Sequence, residues 1–144
     1  MAADTPLSDA ASTTGQLKRL IQQFVDEREW GKYHNSKDVA IAINVEAGEL
    51  LESFEWVREH ELPALEQDPE KRRHIGEEMA DIMILCFNLA NVLGFDVAET
   101  IGMKLEKNRR KYPADEVRGN YRKYTELRAQ KKKAPDAPPD AFSA

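Results

Sequence analysis

The hydrophobic and polar positions of this chain repeat with a helical period, and the repeat predicts four main helices. Between Leu17 and Val25, apolar side chains recur three and four residues apart, as on a helix with one buried face. The four predicted helices cover residues 14–29, 37–60, 70–93 and 97–112, and a loop with two prolines joins the second to the third. The residue alternation of β-strands is missing. The expected fold is therefore all-α, with four helices packed together.

Capping and stop residues mark the ends of these helices. Thr13 and Gln16 form a capping-box pattern before the first helix. Asn35 or Ser36 can cap the second helix, and Gly94 stops the third. The predicted boundaries thus rest on side-chain chemistry as well as on periodicity.

The two ends of the chain differ in composition from its middle. Residues 1–13 are small and polar and predict a flexible leader, while residues 131–144 are rich in Pro, Ala and charge and predict a disordered tail. A single domain is expected over residues 14–130, with a fifth short helix possible over residues 119–130.

Composition narrows the class of protein. The 144 residues are 41% hydrophobic and carry a net charge of −5, which fits one soluble domain and argues against a general nucleic-acid binder. No apolar run approaches the length of a membrane span, and no signal peptide is apparent. The single cysteine, Cys86, excludes a disulfide framework and a cysteine-based zinc site, and we expect it to be a buried thiol. These features predict a cytoplasmic protein.

Two acidic pairs fall on the apolar faces of predicted helices. On a helical wheel, Glu46 and Glu49 lie among the apolar side chains of the second helix, and Glu78 and Asp81 lie among those of the third. Unpaired buried carboxylates are costly unless they are protonated, paired or bound to a cation. Since Mg²⁺ and Mn²⁺ prefer oxygen ligands, the pattern favours a metal site, with interior salt bridges as the alternative.

The fourth predicted helix carries polar groups on an otherwise apolar face. Lys104, Asn108 and Lys111 share one stripe with Val97 and Ile101. A lysine and an asparagine beside a carboxylate–metal cluster would suit an anionic substrate such as a polyphosphate.

Longer segments resemble a known family. The stretch FVDEREWGKYHNSKDVAIAINVEAGELLESFEW and the later EEMADIMILCFNLANVLGFDVAETIGMKLEKNRRKYP are similar to the MazG-like all-α nucleoside triphosphate pyrophosphohydrolases, in particular to their small dCTP pyrophosphatase branch. The resemblance covers about residues 15–115. It implies a four-helix MazG-like bundle that assembles into a homodimer or homotetramer. It also implies metal-dependent hydrolysis of a nucleoside triphosphate to the monophosphate and pyrophosphate.

The resemblance also implies a role for individual residues. Mg²⁺, with Mn²⁺ as a possible substitute, would be bound by Glu46, Glu49, Glu78 and Asp81, with Glu49 also acting as general base. The phosphates and sugar would be held by Lys104, Asn108, Lys111 and Tyr112. The base would enter an aromatic slot formed by Phe24, Trp30, His34 and Trp56. Ordinary core packing is the alternative role for Phe24 and Trp56.

Other classes of protein remain as alternatives. An all-α dUTPase would share the metal chemistry and differ in the base pocket. A non-enzymatic helical interaction module would hold the carboxylates with basic side chains. A ferritin-like di-iron bundle needs Glu-x-x-His pairs, and none of the three histidines has a glutamate three residues before it. The residues before Glu46, Asn44 and Val45, depart from the dCTP pyrophosphatase pattern, so the preferred base stays open.

Overall fold

All the regular secondary structure within residues 7–119, the part of the chain that the computed structural model describes, is helical. The α-helices are α1 (Thr14–Glu27), α2 (Ser36–Glu52), α3 (Leu62–Gln67), α4 (Pro69–Leu93), α5 (Val97–Lys111) and α6 (Ala114–Val117). Two short 3-10 turns lie at Trp30–Lys32 and Glu59–Glu61. The all-α prediction is confirmed, and α1, α2, α4 and α5 are the four long helices that the pattern predicted.

The predicted capping residues start and stop the helices as expected. The Thr13 hydroxyl accepts a hydrogen bond from the Gln16 amide at 3.2 Å, and the Gln16 side chain accepts one from the Thr13 amide at 2.6 Å. Asn35 caps α2, since its side-chain oxygen accepts from the Asp38 amide at 3.0 Å. Gly94 ends α4 with a φ of 69°, a left-handed conformation that glycine adopts without strain.

The second helix is shorter than predicted. It ends at Glu52 instead of near residue 60, and the chain then turns through Trp56, whose φ is 63°. A positive φ cannot continue a right-handed helix, so the wheel that placed Trp56 on the apolar face does not apply there. Its side chain is 90% exposed, and core packing is therefore the wrong role for it. The first helix ends two residues early for the same reason, because Glu29 has a φ of 51°.

A short helix replaces part of the predicted loop between the second and third long helices. Pro63 lies in the first turn of α3, where the missing amide hydrogen has no intrahelical acceptor to lose. Leu65 of α3 is buried, and α3 packs against α4. Pro63 therefore lies at the start of a helix, within a segment that the sequence pattern predicted to be a loop.

Helix α4 lies at the centre of the packing, in contact with α1, α2 and α3. Only four hydrophobic residues in the described part of the chain are buried: Val25, Val39, Leu65 and Ala90. Large apolar side chains on α4, including Met79 and Met83, are about half exposed. Cys86 is exposed as well, so its predicted burial is wrong for the single chain. Within residues 7–98, the described part of the first compact unit, this face of α4 is left uncovered.

The chain divides into two compact units, residues 1–98 and residues 99–144. The first contains α1 to α4, and the second contains most of α5 together with α6. The predicted tail, residues 131–144, and nearly all of the possible helix at 119–130 lie outside the described residues. Within residues 7–119, no single helix has both the length and the apolar composition of a membrane span.

Candidate active site

Helices α2 and α4 bring three of the four predicted carboxylates together. One carboxylate oxygen from each of Glu46, Glu49 and Glu78 lies within 4.8 Å of the other two. Asp81 follows Glu78 by one turn of α4 and lies outside this group of three, but its charge still acts on Glu46. The i, i+3 spacing on two packed helices is what makes the convergence possible.

The carboxylate cluster is closed on one side and open on the other. Glu78 is only 9% exposed and Glu46 is half-buried, whereas Glu49 and Asp81 are exposed. The expectation that all four face the interior is therefore wrong for Glu49 and Asp81 in the single chain, because neighbouring apolar surface on α2 and α4 is itself uncovered. A cluster of this kind is accessible to a ligand from solvent.

Electrostatic crowding is visible at Glu46. Burial raises the pKa of its carboxyl group above the usual 4.5, and the carboxylates of Glu49, Asp81 and Glu78 raise that pKa further. A cation placed among these groups would offset the repulsion between the carboxylates.

The donor set fits a hard divalent cation. All three clustered groups are carboxylates, and ligands of an octahedral Mg²⁺ at about 2.1 Å lie between about 3 and 4.2 Å from one another. The observed limit of 4.8 Å needs little adjustment to reach this range. His74, which the sequence pattern did not single out, places Nδ1 3.3 Å from Glu78 Oε1, one turn earlier on α4. The i, i+4 spacing is the signal that could have found it.

Three of the four predicted base-binding residues form an aromatic cluster. The Phe24 and Trp30 rings meet edge to face with centroids 5.7 Å apart, and the His34 ring lies 5.9 Å from Trp30. Arg28, which sequence reasoning missed, holds its guanidinium 3.6 Å from the centre of the Phe24 ring. Trp56 makes no ring contact with any residue in the described range, so its role in base binding stays a prediction.

A buried amide ties the aromatic cluster to α4. Asn88 is 2% exposed, and its side-chain nitrogen lies 2.7 Å from Nδ1 of His34. The sequence pattern treated α4 as apolar nearly all round and passed over this residue. A lone asparagine in an apolar run was the available signal, because a buried amide needs a partner.

The predicted phosphate-binding residues lie on and just beyond α5. Lys104, Asn108 and Lys111 share one stripe of this helix, and Tyr112 follows directly after it. Asn108 is half-buried, and the Lys111 ammonium lies 5.1 Å from the centre of the Tyr112 ring. These residues belong to the second compact unit, and their contact with a substrate stays a prediction.

A cavity in the first unit is a separate feature. It has a volume of about 400 Å³ and opens between the start of α1 and the end of α4, lined in part by Lys18, Gln22 and Asn91. None of the predicted site residues lines it. Asn91 follows Asp81 by ten residues, about 15 Å along α4, so the cavity lies away from the carboxylates.

Comparison with known proteins identifies the family. The profile of the MazG-like family matches residues 41–127. The chain is 35% identical to human dCTP pyrophosphatase 1 and 34% identical to the bovine protein of that name, in each case over 80% of this chain and 68% of the relative. A solved pyrophosphatase from Archaeoglobus fulgidus superposes with a TM-score of 0.64 at 34% identity, over 75% of this chain and 99% of that one. The chain therefore belongs to the MazG-like family and is a nucleoside triphosphate pyrophosphohydrolase.

Proposed function

We propose that the protein hydrolyses deoxynucleoside triphosphates in an Mg²⁺-dependent reaction that serves nucleotide-pool sanitation or balance. The substrate is a dCTP-like or modified pyrimidine deoxynucleotide. Water adds to phosphorus as the bond between phosphorus and the bridging α–β oxygen breaks, which gives the monophosphate and pyrophosphate. The non-enzymatic interaction module considered from the sequence finds no support, since the relatives are pyrophosphatases.

One observation carries this proposal. The aromatic cluster contacts α4 through Asn88, and Asp81, whose charge acts on Glu46 of the carboxylate cluster, lies on the same face of that helix. These two residues are seven apart, which is two helical turns and about 10 Å of rise. That separation is about the distance between the base and the phosphate chain of a nucleotide. A base against the rings would thus bring its phosphates toward the carboxylates.

Each group has a physical role in this reaction. Glu46, Glu49, Glu78 and Asp81 would hold Mg²⁺, which when bound neutralises phosphate charge and orients the phosphate chain. Glu49 is our candidate for the general base, because it is the most exposed of the three clustered carboxylates and can reach a solvent molecule. Phe24, Trp30 and His34 would contact the base.

The predicted phosphate-binding residues of the second unit complete the proposal. Lys104, Asn108, Lys111 and Tyr112 would hold the phosphates and sugar, with the ammonium groups pairing with phosphate oxygens. The sugar and phosphate contacts differ in kind, because Asn108 and Tyr112 offer neutral hydrogen-bonding groups.

We also propose that the protein acts as a homo-oligomer, with a homotetramer favoured over a homodimer. Large hydrophobic side chains are exposed on every long helix, and only four hydrophobic residues in the described range are buried. A single chain with so small a core gains little stability from burial, and a second copy would cover the apolar face of α4. The cytoplasmic location expected from the sequence stays a prediction.

The test is a panel of canonical and modified dNTPs and NTPs, dUTP among them, incubated with the protein and Mg²⁺ while pyrophosphate and orthophosphate are followed separately. We expect pyrophosphate release with dCTP-like substrates, loss of activity in EDTA, and recovery with Mg²⁺ or Mn²⁺. Glu49→Gln and Glu78→Gln should each lower kcat by at least about 100-fold.

The matched control is Glu52→Gln, which makes the same change on the exposed side of α2 outside the cluster. Its activity should equal that of the wild-type protein. Orthophosphate as the first product, or equal activity in all three variants, would contradict the proposed reaction.

A further inference from the structure

Asn88 and His34 form a long-range contact that the proposed chemistry does not explain. Asn88 lies in the C-terminal third of α4, and His34 lies in the segment before α2, 54 residues earlier in the chain. Asn88 and Glu78 are the two buried polar residues of the described range. Glu78 belongs to the carboxylate cluster, whereas Asn88 directs its amide at one ring nitrogen of a base-slot histidine.

The direction of this hydrogen bond determines where the histidine carries its proton. The Asn88 side-chain nitrogen, Nδ2, can only donate, so Nδ1 of His34 must accept at 2.7 Å. A neutral imidazole carries one proton, which is then on Nε2. The second ring nitrogen of His34 is therefore a hydrogen-bond donor.

That donor is free to meet a ligand. Nε2 of His34 makes no hydrogen bond to any residue in the described range. Nor is it sealed in the interior, because the one buried side-chain polar atom there that lacks a partner is the hydroxyl of Ser53. The His34 ring stands 5.9 Å from Trp30 in the aromatic cluster. The N–H group is thus an open donor next to the rings.

We propose that Asn88 is a positioning residue that holds His34 in its Nε2–H form, so that the base slot selects a carbonyl oxygen on the nucleobase. This inference rests on the proposed function, because it takes the aromatic cluster as the base slot. An N–H group held in this position can donate a hydrogen bond to a carbonyl oxygen of the base. It cannot bond to an amino group at the same place, so a base with an amino group there binds more weakly. Pyrimidines of the cytosine and uracil type carry such a carbonyl.

The decisive variant is Asn88→Asp, which keeps the size of the side chain and replaces the donating amide with an accepting carboxylate. His34 would then have to carry a proton on Nδ1 in order to bond to it. We expect nitrogen-15 NMR of the ring to show Nε2–H with a bare Nδ1 in the wild-type protein and a protonated Nδ1 in the variant. We expect dCMP, titrated by tryptophan fluorescence, to bind about tenfold more weakly.

Asn91→Asp is the matched control, because Asn91 is one turn further along α4 and donates to the backbone carbonyl of Lys18 at 2.9 Å. This variant makes the same change from amide to carboxylate and loses one side-chain hydrogen bond, the one to Lys18, but it does not alter a contact of His34. We expect it to leave the His34 tautomer and dCMP binding unchanged. A third variant, Asn88→Asp combined with His34→Gln, should bind dCMP as His34→Gln alone does, since the side chain that Asn88 orients is gone.

Two results would overturn the inference. One is a wild-type His34 with its proton on Nδ1. The other is an Asn88→Asp variant that keeps the Nε2–H form or weakens dCMP binding no more than Asn91→Asp does, which would make Asn88 a structural anchor only. Neither readout depends on turnover. Absence of pyrophosphate release would therefore count against the proposed function and leave the tautomer result to decide the role of Asn88.

Discussion

At the level of single residues, Glu46 shows that the carboxylate cluster destabilises the metal-free fold. Its carboxyl group is half-buried next to the clustered oxygens of Glu49 and Glu78, and both burial and like charge oppose its ionisation. The same crowding that destabilises the metal-free protein provides the ligands for a cation. Binding and instability here have one physical cause.

We therefore expect Glu46→Gln to stabilise the metal-free protein at neutral pH. Because the folded-state pKa of Glu46 is raised above 4.5, the folded state holds this proton more tightly than the unfolded state does. The stability that this group contributes is fully present below pH 4.5 and is lost as the pH rises through the folded-state pKa. The variant should therefore unfold at a higher temperature than the wild type at pH 7, and the difference should shrink toward pH 4.

Thermal unfolding in EDTA between pH 4 and pH 8 measures this difference. Glu52→Gln serves as the control on the exposed side of the same helix and should follow the wild-type profile. Addition of Mg²⁺ should raise the unfolding temperature of the wild type more than that of Glu46→Gln, since one ligand is gone. Parallel profiles for wild type and Glu46→Gln at every pH would show that the carboxylates do not crowd one another.

At the scale of elements, the helix ends place the functional side chains. The Asn35 cap starts α2 eleven residues before Glu46. Gly94 ends α4, the helix that carries Glu78, Asp81 and Asn88. Local capping residues thus set where these two helices begin and end.

The two glycines Gly94 and Gly102 should respond oppositely to alanine. Gly94 has a φ of 69°, so Gly94→Ala should cost about 1 kcal/mol of unfolding free energy. Gly102 lies inside α5 with no atom within 4 Å of an added Cβ, so Gly102→Ala should add about 0.5 to 1 kcal/mol. Denaturant unfolding of both variants measures the change in unfolding free energy, which should fall for Gly94→Ala and rise for Gly102→Ala. A stabilising Gly94→Ala would contradict the assigned C-terminal cap.

At the scale of the whole molecule, the uncovered apolar surface is the dominant feature. Met79 and Met83 lie one turn apart on α4, with Cys86 on the same side, and all three are exposed. A stripe of this kind on the central helix of the chain is typical of a surface that another protein copy covers.

Met83→Glu should therefore break the proposed assembly. A charge in a covered apolar contact would be buried without a partner, which is costly. Sedimentation of the wild type should give at least twice the 16.4 kDa chain mass, and the variant should shift toward one chain. Gln67→Glu, a change at an exposed polar position, is the control and should sediment as the wild type does. A wild type that sediments as a single chain at micromolar concentration would contradict the proposal.

Part of the site could be predicted from the sequence because helical periodicity relates sequence spacing directly to a shared face. Glu46 and Glu49 are placed by spacing within α2, and Glu78 and Asp81 by the same spacing within α4. The wheel failed at Trp56, because a single positive φ ends the periodicity. It failed differently at Cys86 and Asp81, because apolar neighbours on a wheel predict burial only where another surface covers them.

The all-α class, the helix caps, the pairing of carboxylates along each helix and the resemblance to the family could all be read from the amino-acid sequence. All of these depend on local chemistry or on motif spacing. Two features needed the folded chain: α2 and α4 bring three carboxylate oxygens within 4.8 Å, and Asn88 contacts His34. These contacts join residues far apart in the chain, and they arise from how helices pack. Helix packing depends on the shape of whole faces, which no local pattern specifies.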